Sequence, residues 1–327
     1  MFMRIQETIQ THVYSSKHTL MRKMWNQREL VLLTLPFILF FITFNYLPLL
    51  GWVMAFQDFR PKATTKGTID LSAFFNQKWV GLDNFKYLFS SEQFARIMRN
   101  TFAMSVMNLI VSTFLSVFLA VLINEMRSRW FKKTVQTISY LPHFLSWIIA
   151  CSLISNILSL DGAINRLLST LGIIDSPVLW LGQPKLFWIL NTMIHAWKGT
   201  GWNSIMYLAA ISAIDPGIYE AAQIDGAGRW QRVKYITLPG IRQTILMLLI
   251  MNIGSLMNQG FDVQYLLGNG LTTAYSETID IYVLKYGVGI GNYSLATATG
   301  IFKSVLCIVL LFSANKVSDK LFGERLI

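Results

Sequence analysis

The sequence has few charged residues and almost no cysteine. Asp, Glu, Lys and Arg make up 14% of its 327 residues, against about 25% in ordinary soluble domains. Hydrophobic residues make up 53%, so the composition excludes an ordinary soluble protein and indicates an integral membrane protein. Cys151 and Cys307 both lie in apolar runs, where we expect them to pack as small hydrophobic residues rather than form a disulfide or a metal site.

The short motifs of nucleotide-binding, hydrolytic and metal-dependent proteins are also missing. The sequence contains no GxxxxGK[ST] phosphate-binding loop, no HExxH, no GxSxG and no spaced set of Cys and His. The histidines stand at four separate places, namely His12, His18, His143 and His195. We therefore predict no catalytic residue, no metal site and no cofactor held by this chain.

Six long apolar runs are present, and each approaches or exceeds the roughly 20 residues that a helix needs to cross a bilayer. They cover residues 30–56, 101–123, 135–158, 186–214, 243–267 and 294–315. The first run is too long for the core of a signal peptide, so we expect it to be retained. The predicted fold is all-α, a polytopic membrane bundle of six transmembrane helices. Its parts are an N-terminal segment (1–29), a transmembrane domain (30–316) and a tail (317–327).

Lys and Arg are distributed unequally between the two sides of this bundle. Sixteen lie in the N-terminal segment, the second-to-third loop, the fourth-to-fifth loop and the tail, whereas the two shorter loops on the other side hold three. The insert 58–99 carries seven, but long loops translocate largely regardless of charge. The termini and residues 215–239 are therefore predicted to be cytoplasmic, and the insert extracytoplasmic. The net charge of +11 then reflects membrane orientation, and we predict no nucleic-acid partner.

Residues 215–239 read as a helix-turn-helix element between two spans. Asp215 can cap a helix whose first residue is Pro216. Gly226 suits the left-handed conformation past a helix end. A second short helix is predicted from Gly228 to Thr237, with Pro239 as its stop. Two small residues, Ala221 and Ala222, leave room for another protein surface. An ordinary amphipathic interfacial helix is the alternative.

The spacing of this element resembles the EAA motif of ABC-importer permease subunits: Glu220-Ala221-Ala222, three residues, Gly226, nine residues, then Ile236-x-Leu238-Pro239. Further stretches resemble the polysaccharide and complex-oligosaccharide branch of that family, which includes alginate and rhamnogalacturonan-oligosaccharide permeases. They are Trp79–Phe85, Tyr140–Phe144, Trp197-Lys198 and Ser276–Tyr282. The resemblance runs from about Arg28 to Asn315.

The resemblance implies a type I importer permease of the bacterial cytoplasmic membrane. Its EAA loop would dock on an ATPase subunit through Glu220, Ala221, Ala222, Asp225, Gly226, Ile236, Leu238 and Pro239. The implied partners are a second related permease, two ATPase subunits that bind ATP and Mg, and an extracytoplasmic solute-binding protein. The implied substrate is an oligo- or polysaccharide. The family branch favours a heterodimer of permeases, with a homodimer left open.

Polar side chains inside the spans are costly, so each one calls for a reason. We predict that a sugar pathway is lined by some of His195, Trp197, Lys198, Trp202, Asn203, Asn252, Asn258, Asp262 and Lys303. Amides and charged groups can bind hydroxyls, and aromatic faces suit sugar rings. The alternative for each residue is hydrogen bonding between helices, including a Lys-Asp pair that holds the bundle.

Two other classes of protein compete with an ATP-driven permease. An ion-coupled secondary transporter of sugars would call for intramembrane carboxylates, and Asp262 alone qualifies. A membrane-embedded glycan transferase would need a carboxylate pair or metal ligands near the interface, and the sequence offers neither.

Overall fold

The computed structural model describes residues 25–60, 76–258 and 260–322. Predictions about residues 1–24, about 61–75 within the insert, and about the end of the tail, 323–327, lie outside this part of the chain. The described part of the chain forms two compact units, with the boundary between Val53 and Met54. Most described residues are helical, and the one sheet among them has two short strands. The all-α prediction is confirmed.

The first unit contains most of the first predicted span. Helix α1 (Arg28–Phe41) passes into a π-helical turn (Ile42–Tyr46) and then into a 3-10 helix (Leu47–Phe56). Pro48 lies at the start of the 3-10 segment. Together these segments form an apolar helical run of 29 residues, long enough to cross a membrane.

The described part of the insert is ordered around a small sheet. Strand β1 (Gln57–Asp58) pairs antiparallel with β2 (Lys78–Trp79). The ring of Trp79 stacks on Phe56 at a centroid distance of 5.8 Å. The side-chain amide of Asn84 donates to the backbone oxygen of Ala55 at 2.9 Å. The string Trp79–Phe85 therefore attaches the end of the insert to residues 55–57.

The second unit contains two further long apolar helices, two bent helix pairs and the 26-residue helix α7. The second predicted span lies in α3 (Glu92–Glu125), and the sixth lies in the last helix. The helices in order are α2 (Asp83–Ser90), α3, α4 (Arg129–Tyr140), α5 (Trp147–Ile157), α6 (Ala163–Thr170), α7 (Phe187–Ser212), α8 (Pro216–Ile224), α9 (Arg229–Arg232), α10 (Leu238–Gly240), α11 (Arg242–Gly254), α12 (Asp262–Leu267), α13 (Thr273–Ser276), α14 (Ile279–Leu284) and α15 (Tyr293–Phe322).

The third predicted span is broken rather than continuous. Helix α4 is followed by a 3-10 turn (Leu141–Phe144), and the chain then bends by 103° into α5. Pro142 lies in the turn, and Ser146 caps α5 by accepting from the amide of Ile149. A second break of 54° separates α10 from α11 at the start of the fifth predicted span.

The described residues contain three helices that are long and apolar enough to cross a membrane, or up to five spans if each bent pair counts as one. The fourth predicted span lies in α7, which is 26 residues long but is not among them. Its apolarity is reduced by polar side chains, including Asn191, His195 and Lys198. The six-span count and the cytoplasmic termini stay predictions.

The interior of the second unit is partly polar, while large apolar side chains such as Phe114 and Met193 face outward. Buried Asn191 of α7 donates to Asn108 of α3 at 3.4 Å and accepts from Gln264 of α12 at 3.1 Å. This distribution suits a protein in lipid, where interhelical hydrogen bonds stabilise helix contacts and apolar surface needs no cover.

The buried carboxylate of Glu277 forms ion pairs that link the loop between α13 and α14 to the start of α3. The Glu277 side chain is 3% exposed and contacts Arg96 at 2.7 Å and Lys285 at 3.3 Å. Beside it, the side-chain amide of Asn100 donates to the Glu277 carbonyl oxygen at 3.0 Å. The stretch Ser276–Tyr282 is therefore held against the start of α3 by ion pairs and hydrogen bonds.

Helix α7 approaches the break in the third span at a glycine. A Cβ added at Gly201 would overlap the backbone carbonyl oxygen of Ser139. Such close backbone contact is the usual reason for small residues between membrane helices. Gly199, on the same helix, has more room, since the nearest atom to an added Cβ is in the Asn203 side chain at 3.5 Å.

We predict that Gly201→Ala destabilises the protein by about 1–3 kcal/mol, because backbone atoms must move to admit the methyl group. Gly199→Ala is the matched control and should change stability little, since both substitutions add one methyl group to the same helix. Thermal unfolding in detergent measures the difference. Equal unfolding temperatures for the two variants would contradict the close contact.

Candidate functional site

The first arm of the element 215–239 begins with the predicted cap. The Asp215 carboxylate accepts from the amide of Gly217 at 2.8 Å, and Pro216 occupies the first helical position of α8. Proline suits this position because its missing N–H would have no partner inside the helix. The predicted start of the arm is confirmed residue by residue.

The turn after α8 is a Schellman motif. Gly226 has φ +80°, the left-handed conformation that glycine adopts without a Cβ penalty. The amide of Ala227 donates to Ala222 at 2.9 Å, and that of Gly226 donates to Gln223 at 3.1 Å. These two bonds satisfy carbonyl groups that a helix end leaves open.

The second arm differs from its prediction in length and in its stop. Helix α9 continues through a π-helical turn (Val233–Thr237) into α10, so Pro239 lies inside the helical run. A wider π turn lies directly before the proline, whose nitrogen has no hydrogen to donate. The chain turns at Ile241 instead, where the 54° bend begins.

A hydrogen bond joins the arms, and the flanking residues Ile214 and Gly240 approach each other closely at the base of the element. The hydroxyl groups of Tyr219 and buried Thr237 share a hydrogen bond of 3.0 Å. At the base, a Cβ added at Gly240 would lie 2.6 Å from Ile214. The element is therefore a closed, capped unit that connects α7 to α11.

The exposed surface of this unit includes Glu220 and Ala221, whereas Ala222 is half-buried. Among the described residues, Glu220 has no ion-pair partner. Asp225, Gly226 and Pro239 are also exposed, and Ile236 and Leu238 are half-buried. Sequence reasoning missed two apolar side chains beside them, Ile224 (87% exposed) and Trp230 (75% exposed). An exposed apolar residue beside an unpaired carboxylate suits a protein-binding surface.

A polar cavity of about 220 Å³ lies between α3, the broken third span, α7 and α11. It brings together four of the predicted pathway residues, His195, Lys198, Asn203 and Asn252. Trp202 borders the same region, because its ring stacks on the cavity residue His143 at a centroid distance of 4.4 Å. The cavity combines amides, imidazoles and one ammonium group.

The remaining predicted pathway residues lie elsewhere. Trp197 faces a separate apolar groove with Pro142 and Met193. Asn258 and Lys303 line another pocket, where Lys303 forms an ion pair with Asp280.

Asp262 is exposed at the start of α12 and lines none of the pockets described here. Lys198 and Asp262 form no ion pair, so the Lys-Asp pair of the bundle is Lys303 with Asp280.

The sequence analysis did not predict that residues of α3 and of the broken third span would line the cavity. Asn108, Ser112 and Thr113 of α3 line the cavity, as does Trp147 of α5. Asn108 and Ser112 are four residues apart, a spacing that places them on one face of α3, and Thr113 lies next to Ser112. This polar stripe inside an apolar run was the signal that could have identified them.

Comparison with known proteins identifies relatives that match nearly the whole chain. A family model described as "binding-protein-dependent transport system inner membrane component" matches residues 112–323. Protein LplB of Bacillus subtilis (strain 168) is 40% identical over 298 residues, which cover 91% of this chain and 90% of that protein. The polygalacturonan/rhamnogalacturonan transport system permease protein YteP of the same organism is 38% identical, covering 94% and 92%.

Solved structures agree in fold. A chain from the crystal structure of a bacterial ABC transporter involved in the import of the acidic polysaccharide alginate superposes with a TM-score of 0.83 at 37% identity. The match covers 93% of this chain and 99% of that one. A second structure of similar match contains the alginate transporter in complex with an alginate pentasaccharide-bound periplasmic protein.

We predict that Asp215→Ala loosens the first arm of the element. Loss of a helix cap costs about 1 kcal/mol, so amide exchange at Gly217 should speed up about fivefold. Asp225→Ala is the control, because the Asp225 side chain makes no hydrogen bond with the described residues. Hydrogen exchange followed by mass spectrometry measures both. Equal exchange at Gly217 in the two variants would show that the cap does not stabilise the arm.

Proposed function

Because this chain belongs to the family of binding-protein-dependent transport system inner membrane components, we propose that it is a permease subunit of an ATP-driven importer of oligo- or polysaccharides. The names of YteP and of the alginate importer both refer to the transport of sugar polymers. These proteins align with nearly the whole chain, including the cavity and the element 215–239. The proposed location is the bacterial inner membrane.

The observation that carries this proposal is the capped and hydrogen-bonded element between α7 and α11. It presents Glu220 and Ala221 at its surface, is capped at Asp215, and is closed by the Tyr219–Thr237 bond. A unit fixed in this way can pass a rigid-body displacement into two helices, whereas a flexible loop would absorb it. We propose that it docks on an ATPase subunit, which would supply the nucleotide site, since the sequence of this chain contains no GxxxxGK[ST] loop.

The assembly that follows has a second, related permease, two ATPase subunits and an extracytoplasmic solute-binding protein. Closure of the ATPase subunits around ATP would move the elements, and the helices would switch the cavity between the two sides of the membrane. The proposed substrate path passes the cavity at His195, Lys198, Asn203 and Asn252, where amide and imidazole groups can bind hydroxyls.

Reconstitution tests the proposed function. The complete transporter is placed in proteoliposomes with its binding protein, and uptake of labelled oligosaccharides is followed with and without ATP. We expect uptake that requires both ATP and the ATPase subunits and that persists when ionophores abolish ion gradients. Uptake by this chain without ATPase subunits, driven by an ion gradient, would identify a secondary transporter instead.

The element yields a sharper prediction. Gly226→Pro should abolish ATP-dependent uptake, because proline requires φ near −65° and cannot adopt the +80° observed here. Glu220→Lys should do the same by reversing the charge at the proposed contact. Both variants should still insert in the membrane, and co-purification of the ATPase measures docking.

Gly228→Ala is the matched control for Gly226→Pro. Gly228 has φ −64°, and an added Cβ would lie 3.5 Å from the Gln231 side chain, so alanine should be accepted. Normal uptake by Gly226→Pro or by Glu220→Lys would remove the mechanical role assigned to this element.

A further inference from the structure

One buried charge in the cavity has no ion-pair partner among the residues that the structure describes. Lys198 is 8% exposed, and it is the one Lys or Arg more than nine-tenths buried in the described ranges 25–60, 76–258 and 260–320. No carboxylate of those residues forms an ion pair with it. Buried charges in proteins are normally paired, because an unpaired one loses its hydration without compensation.

The other lysine predicted inside the bundle provides the contrast. Lys303 lies in a different pocket, and Asp280 neutralises it there. Glu277 is likewise buried, and it has two basic partners, Arg96 and Lys285. In the described part of the chain, Glu277 and the Lys303–Asp280 pair thus have partners in direct contact. Asp262, a carboxylate that acts electrostatically on Lys198, lies beyond ion-pair distance of it.

The surroundings of Lys198 hold its ammonium group in place. It donates to the backbone oxygen of His143 at 2.7 Å and lies 5.1 Å from the centroid of the Trp147 ring. The first contact uses one of three N–H donors, and the second is a cation–π contact. Two donors remain without a partner among the described residues.

Other polar side chains of the cavity also have nitrogen atoms without a hydrogen-bond partner among the described residues. His195 Nε2 and Asn108 Nδ2 are buried without a hydrogen-bond partner in the described structure. The amide groups of Asn203 and Asn252 also line the cavity. Trp202, 42% exposed and stacked on His143, offers a flat face to a sugar ring.

We propose that Lys198 binds a carboxylate of the transported sugar, so that the cavity selects acidic oligosaccharides over neutral ones of the same shape. A ligand carboxylate would neutralise the ammonium and accept its free N–H donors, and charge-assisted hydrogen bonds are about twice as strong as neutral ones. This inference rests on the proposed function as a sugar permease. It adds the substrate class and the residue that recognises it.

A purely structural role for Lys198 is the competing explanation, because its bond to His143 joins α7 to the break in the third span. The two roles predict different effects on the import of acidic and neutral sugars when Lys198 is replaced. Loss of a structural contact impairs import of every sugar alike, whereas loss of a carboxylate-binding group impairs acidic sugars selectively.

The test uses the reconstituted transporter with its binding protein and pairs of matched probes. Each pair is a labelled uronate oligosaccharide, from alginate or from polygalacturonate, and its carboxyl-reduced neutral form. The variants are Lys198→Gln, which removes the charge, and Lys198→Arg, which keeps it. The control is the double variant Lys303→Gln/Asp280→Asn, which removes a paired charge without leaving its partner unpaired. Because the same binding protein is used with every variant, a change in the ratio of acidic to neutral probe import is caused by the substitution in this chain.

We expect the wild type to import an acidic probe, and Lys198→Gln to lower its import relative to the neutral form about tenfold or more, as loss of a charged hydrogen bond predicts. Lys198→Arg should keep most of the preference, and the double variant should leave the ratio unchanged. If the neutral forms are not imported at all, the readout is KM for the acidic probe, which Lys198→Gln should raise at least tenfold.

Three results overturn the inference while the proposed function stands. They are import of neutral probes alone, an unchanged ratio or KM in Lys198→Gln, and an equal loss of both probes in Lys198→Gln and Lys198→Arg. Absence of ATP-dependent import of every sugar by the wild type would instead contradict the proposed function itself.

Discussion

The close packing of α7 against the break in the third span is the constraint on which the rest of the second unit depends. Gly201 removes the side chain that would separate the two backbones, and Lys198, less than one turn earlier, donates to the carbonyl oxygen of His143 on the other side of the contact. Carbonyl groups freed by a broken helix need new partners in a membrane, where water is scarce. Helix α7 thus supplies the space, at Gly201, and the hydrogen bond, from Lys198, that the break requires.

Helix α7 also links the cavity to the element 215–239. It carries His195, Lys198 and Asn203 in its middle and ends at Ser212, three residues before the capping Asp215. A displacement of the capped element therefore acts on the helix that holds the break in place. The connection is the covalent chain itself, and only Ala213 and Ile214 separate the end of the cavity-lining helix from the cap. This continuity is the physical basis for coupling at a distance.

The helical fold and the element 215–239 could be predicted from the sequence because local signals determine them. Asp215, Pro216 and Gly226 each have a conformational requirement that short-range chemistry satisfies, and the structure has all three as expected. The second arm was predicted less well, since the π turn before Pro239 depends on how the chain enters α11. The bend of the third span was also missed, although Pro142 lies within it, because its 103° angle depends on contacts with α7.

The candidate pathway shows the same division between local and tertiary information. Polarity within apolar runs identified nine residues, but it could not tell which of them share a cavity. Lys198 and Lys303 look alike in the sequence, as single lysines in apolar surroundings. Only the fold brings Asp280 to Lys303 across 23 residues of chain. Among the described residues Lys198 has no carboxylate at ion-pair distance, and Asp262 acts on it only from farther away. The chemical difference between a structural charge and a charge available to a ligand therefore arises in the packing of helices, and the chain outside α7 determines it.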